Sequence, residues 1–101
     1  MNLPVIRKDR VKFIKADGNY SNVHYVDGKK KCISKTLKVF TERVPDTFYR
    51  VSKSYFVNTE MIKKVNDDKF TLLMQCGTVI PISRRRWIDF KKKYLTESWN
   101  I

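Results

Sequence analysis

The chain has 101 residues, with 22 Lys and Arg against 10 Asp and Glu, giving a formal net charge of +12. That length allows one domain with one core, and 42% hydrophobic with 13% aromatic residues is too much apolar mass for a disordered chain. No apolar run reaches the ~18 residues of a membrane span, and residues 1–7 lack the continuous apolar stretch of a signal peptide, so the sequence predicts a soluble cytoplasmic domain spanning 1–101 and no membrane partner.

Residues 11–16 (VKFIKA) are rich in β-formers and roughly alternating, which predicts a strand. Asp17-Gly18-Asn19 is a turn, and residues 20–26 resume the β pattern. Asp27-Gly28 turns again, so residues 20–34 read as a hairpin. The period then changes. Leu37, Phe40 and Val44 recur at three and four residues, Ser34 or Thr36 can cap, and Pro45 stops the segment, which predicts a short amphipathic helix over about 36–43. Residues 48–51 and 54–58 are apolar, aromatic and expected to be buried. Residues 62–66, 69–76 and 78–83 read as a three-strand meander, in which Pro81 belongs on an edge because it cannot donate to a ladder. Ser83 can cap a final helix with faces supplied by Trp87, Ile88, Phe90, Lys91, Tyr94 and Leu95. The sum is six or seven short strands, one short mid-chain helix and a C-terminal helix: a mostly β, single-domain fold. Cys32 and Cys76 are expected to be free thiols filling the core.

Twelve surplus positive charges attract polyanions, and nucleic acid is the commonest inside cells. The charge is clustered in Lys29-Lys30-Lys31, in Arg84-Arg85-Arg86 and in Lys91-Lys92-Lys93, all inside predicted folded elements rather than on a low-complexity tail. Catalytic chemistry has little support. His24 is the lone histidine and sits mid-strand, where a structural role is the commoner one. Paired His/Cys spacings for a metal are absent, as are phosphate-cradling glycine loops. The sequence therefore predicts no enzyme, no metal and no cofactor.

Four segments in order resemble the LytTR family of bacterial DNA-binding domains, usually the output domains of two-component response regulators. They are Phe13 to Tyr20 (FIKADGNY), Thr36-Leu37-Lys38, Phe48 to Asn58 (FYRVSKSYFVN) with Ile62 beyond it, and Gly77 to Arg84 (GTVIPISR). The resemblance runs from about Val11 to Leu95. It implies an elongated β fold that inserts loops into successive major grooves on one side of duplex DNA, unlike a recognition helix. It implies transcription regulation, two copies on repeated half-sites, and DNA contacts from three places. These are Gly18, Asn19 and Tyr20 after the first strand; Ser52 and Lys53 in the central motif; and Ser83 and Arg84, with Arg85 adjacent, at the start of the last helix. The family's usual His is Ser52 here, which removes any contact an imidazole would make. A fuller strand before the first motif is also usual, and the receiver domain that usually precedes this one is not in the sequence.

Taken physically, Arg84 can fork onto guanine O6 and N7 or onto a phosphate, and Ser83 would cap a helix whose positive end faces the same way. Lys53 can reach a base edge or phosphate. Asn19 can read adenine, or can be a turn residue chosen for its backbone conformation. Tyr20 divides between core packing and the sugar-phosphate. Lys35 and Lys38 flank the mid-chain helix as phosphate contacts, whereas Lys91 to Lys93 fit a solvated face. Asn58 is expected to satisfy backbone groups in a tight turn. Trp87, Phe90 and Tyr94 fit the core, and Trp99 fits a terminal anchor or a partner contact. Two other functions compete with duplex binding. An RNA or single-strand binder would need exposed aromatics among its basic residues. A basic protein-interaction module would dock an acidic partner.

Overall fold

The computed structural model describes residues 3–95, with side chains through residue 93. The fold is mostly β and elongated, with extents of 43 × 26 × 22 Å. Eight strands form two antiparallel sheets. The first contains β1 (Val11–Asp17), β2 (Tyr20–Tyr25), β3 (Lys30–Ile33), β4 (Phe48–Arg50) and β5 (Tyr55–Asn58), in the order β3-β2-β1-β5-β4. The second is the expected meander of β6 (Ile62–Asn66), β7 (Thr71–Met74) and β8 (Val79–Pro81). Pro81 lies on the edge strand β8. One short helix, α1 (Arg84–Phe90), closes the described chain and runs into a π-helical turn, Lys91–Leu95.

Strand β1 lies in the middle of its sheet, between β2 and β5, and both of its faces are covered. Period-two alternation therefore sends neighbouring side chains into different interiors. Ile14 and, on β5, Phe56 join Ile6, Val11, Val23, Leu37 and Phe40. Phe13 and Val57 join Val51, Leu72, Met74, Ile80, Ile82, Trp87 and Phe90. The single expected core is thus two clusters, one on each face of the central strands. The second cluster packs β6–β8 and α1 onto the first sheet.

The buried Asn58 locks the far end of β5. Its Nδ2 donates to the carbonyls of Lys8 (2.7 Å) and Val11 (2.9 Å), and its Oδ1 accepts the Glu60 N–H at 3.2 Å. As expected, this side chain serves backbone groups. It also pins the strandless segment before β1, whose Ile6 is buried.

Four expectations are corrected. The mid-chain amphipathic helix is only a 3₁₀ turn, Leu37–Phe40, and Thr36 gives it no side-chain cap. The i→i+3 geometry eclipses Leu37 over Phe40, so two side chains fill the first cluster without a longer element. The segments at 48–51 and 54–58 contribute two further strands, β4 and β5, which raises the count to eight. Cys32 and Cys76 are free, as expected, but both are exposed. Alternation on edge strand β3 turns Ile33 inward and Cys32 outward, and Cys76 sits in the turn beside Gly77. Finally, Ser83 occupies the N-cap position of α1 without a side-chain cap bond. Trp99 and the Tyr94 side chain lie outside the described residues.

Candidate nucleic-acid interface

Three chain connections meet at one end of the first sheet. The β1–β2 hairpin turns through Gly18 and Asn19, with Asp17 paired to Tyr20. The β4–β5 connection carries Ser52 and Lys53, and the third connection leads from β8 through Ser83 into α1. Two backbone hydrogen bonds stitch them together: Ala16 N–H donates to the Ser54 carbonyl (2.8 Å), and Ser83 N–H donates to the Val51 carbonyl (2.9 Å). Residues separated by more than 60 positions in the sequence thereby share one surface.

The local reasons differ. Gly18 has φ 61°, the left-handed value needed at the first position of a tight two-residue hairpin turn. Asn19 has no positive φ, so the conformational demand rests on Gly18 and the Asn19 amide is left exposed at the tip. Tyr20 is 50% exposed, which decides against core packing. Lys35 belongs to the same end, because Ser21 Oγ donates to the Lys35 carbonyl at 2.6 Å. Lys38 is exposed on the 3₁₀ turn, between buried Leu37 and Phe40.

In the β4–β5 turn, Ser52 Oγ accepts the Ser54 N–H at 3.1 Å, a local bond that shapes the bend. Arg50 braces it from below: its Nε donates to the Ser52 carbonyl (3.2 Å) and its Nη2 to the Lys53 carbonyl (3.3 Å). Burial, followed by the neighbouring Arg86 charge, lowers the Arg50 pKa. Lys53 is exposed and forms no ion pair among the described residues.

Helix α1 is held from two sides. The Tyr49 hydroxyl donates to Asp89 Oδ2, and Arg86 Nη1 donates to the Arg50 carbonyl at 3.3 Å. Burial, with the Asp89 hydrogen bond and charge, pushes the Tyr49 hydroxyl up to about 12, so it stays protonated as the donor. Trp87 and Phe90 are buried, while Ile88 is exposed, so the helix uses only part of its apolar set for packing. The Arg84 guanidinium lies over the Phe70 ring, 5.5 Å from its centroid, and Arg85 points to solvent. The sequence signals therefore locate the exposed groups but miss their supports, Arg50, Asp89 and Phe70. Of these, Arg50 carried a readable signal, standing two residues before Ser52 within the central motif.

The opposite end of the sheet is basic too. Arg10, Lys29, Lys30 and Lys31, with Tyr25 and Asp27, line an open concavity of about 420 Å³. Five residue steps of ~3.4 Å along β2 put it about 17 Å from Tyr20. Beside this concavity, His24, paired across to Lys30, stacks on Phe13 at 4.4 Å. Burial, then the charges of Lys12, Lys30 and Lys15, hold the His24 pKa below 6.5.

The LytTr DNA-binding domain family matches residues 2–95. The sensory transduction protein LytT of Bacillus subtilis (strain 168) is 39% identical over 64 residues, 59% of this chain and 27% of that protein. The chain thus spans about a quarter of the length of that relative. Among solved structures, a LytTr DNA-binding domain from Bacillus cereus superposes with a TM-score of 0.76 at 25% identity, covering 86% of this chain and 83% of that one. No helix among the described residues is long and apolar enough to cross a membrane. Two stitched sheets, a short terminal helix and a family match over nearly the whole chain lead to one assignment: the chain belongs to the LytTr DNA-binding domain family.

Proposed function

We propose that these 101 residues form one sequence-specific duplex-DNA-binding domain that regulates transcription by inserting its stitched loops into successive major grooves. The observation that carries this reading is the pair of backbone bonds, Ala16 to Ser54 and Ser83 to Val51, which hold three separate exposed connections in one surface. Each connection offers a different chemistry. Asn19 presents an amide suited to adenine N6 and N7, Arg84 a fork suited to guanine O6 and N7, and Lys53 a point charge for a base edge or phosphate. Ser52 shapes its turn and stands where the family usually has His, so its short hydroxyl replaces any contact an imidazole would make. Tyr20, Lys35, Lys38 and Arg85 supply sugar and phosphate contacts that set register without reading sequence. Two copies on repeated half-sites extend the read length beyond what three loops can cover.

The test is selection from a random duplex pool, followed by titration of the selected site against a scrambled duplex. Specific binding with log affinity falling by ~0.9 per log unit of salt for each phosphate neutralised supports the reading. Equal affinity for selected and scrambled duplexes at physiological salt overturns it. Tyr20, the exposed aromatic of this surface, is the one feature that favours stacking on an unpaired base. Preference for a single strand over the duplex would establish that mode instead.

A further inference from the structure

Phe70 is the non-glycine residue with a left-handed backbone among those described, at φ 51°. A bulky residue in that region is an outlier, and it persists only where its surroundings over-determine it. The surroundings here are specific. Asn66 Oδ1 accepts the N–H groups of Asp68 (3.0 Å) and Lys69 (3.2 Å), which winds the β6–β7 turn tightly up to Phe70. This turn also shortens β7, which the sequence pattern starts at Lys69 and the structure starts at Thr71. The Phe70 carbonyl accepts the Ile82 N–H at 2.8 Å, tying the strained residue to the chain two positions before Arg84. The ring packs against the second cluster, edge-on to Trp87 with centroids 5.3 Å apart, and the Arg84 guanidinium lies over it at 5.5 Å.

We propose that Phe70 is the positioning residue for Arg84, and so a determinant of the domain's sequence discrimination; this rests on the duplex-reading function given above. An arginine loses much rotamer freedom when it is fixed on a base edge, and that loss weakens binding. The Phe70 ring takes up part of that loss before DNA arrives, because the flat guanidinium is attracted to the ring face. A guanidinium held over the ring by this attraction keeps N–H groups with which to engage guanine O6 and N7. The left-handed backbone is what brings a side chain from the β6–β7 turn to the start of α1.

The experiment is a double-mutant cycle with Arg84→Ala, reading the ratio of affinities for a selected and a scrambled duplex. Phe70→Leu keeps the apolar contact with Trp87 and removes the ring face. It lowers the ratio about two- to fivefold in the wild type, and it has no effect in the Arg84→Ala background. Phe70→Tyr retains the ring and the ratio. A second readout uses the free protein: the Arg84 side-chain protons carry an upfield ring-current shift in NMR spectra that Phe70→Leu abolishes. If Phe70→Leu proves too unstable, Phe70→Met fills the same space. An unchanged ratio, an equal loss in the Arg84→Ala background, or an Arg84 shift indifferent to residue 70 overturns the proposal. Wild-type protein that binds both duplexes equally would sink the functional reading, while the NMR shift would still decide whether Phe70 holds Arg84.

Discussion

The five-stranded sheet is basic at both ends, and the two ends are built differently. At one end, three connections are bonded to one another through their backbones, and Arg50, Tyr49 and Asp89 support them from beneath. At the other, Arg10, Lys29, Lys30 and Lys31 ring a concavity around a single β2–β3 turn. The anchoring bonds there come from Asn58, a buried amide that holds the chain before β1. Charge alone does not distinguish the ends. What distinguishes them is whether exposed groups are held at fixed spacing, which reading a base sequence requires and attracting an anion does not.

The largest effect should come from the anchor. Asn58→Ala leaves two carbonyls and one N–H without their partner in a buried site. It should destabilise the fold by roughly 2–4 kcal/mol, measured by denaturant unfolding. Discrimination between duplexes, measured on the fraction that remains folded, should survive. Arg84→Ala reverses that pattern: discrimination falls by about 1–3 kcal/mol, while the melting temperature stays near wild type because the side chain is exposed. A large stability loss in Arg84→Ala would blur the two ends into one structural unit.

Smaller effects sharpen the comparison through salt. Lys53→Gln should lower the slope of log affinity against log salt by about 1, the signature of one lost phosphate contact. The same change at Lys29 and Lys31 together should leave the slope as it is, because that end lies away from the stitched loops. A slope that falls for both would show the duplex running the length of the sheet. The smallest effect is at His24. Its folded pKa lies below 6.5 through burial and the nearby lysines, so the unfolded chain takes up the proton first. Stability from this source is complete above pH 6.5 and is lost as pH falls from 6.5 through the folded value. Urea midpoints from pH 7.5 to 5 should therefore drop more in wild type than in His24→Phe.

What the sequence made legible follows from the range of the forces involved. The β6–β8 meander and its Pro81 edge rest on short-range alternation and turn residues, and these can be read directly. The pairing of β1 with β5, across more than 30 intervening residues, leaves no local mark, so consecutive apolar residues such as Phe56-Val57 read only as buried. The same alternation hides the split into two clusters until β1 is known to lie centrally. The 3₁₀ turn shares its three-residue spacing with a helix, which is why Leu37 and Phe40 suggested one. The exposed tips Asn19, Lys53 and Arg84 were accessible through turn chemistry and motif. Of the supports, Arg50 acts locally and stood within the motif, whereas Asp89 and Phe70 act across the fold and became visible only with it.

The sheet edges give part of the positive charge a second occupation. An unpaired strand edge is a template for intermolecular β association, and lysine, proline, bulges and shortness are the means of blocking it. Each of the four edges here has one. Edge strand β3 carries Lys30 and Lys31, β4 is only three residues long, β6 carries Lys63 and Lys64 beside a register shift, and β8 is three residues long and ends at Pro81. A domain with this many open ladders needs such guards to stay monodisperse during folding, and lysine supplies them on two edges. Neutralising those lysines to improve crystallisation would therefore invite fibrils before it altered any contact with a partner.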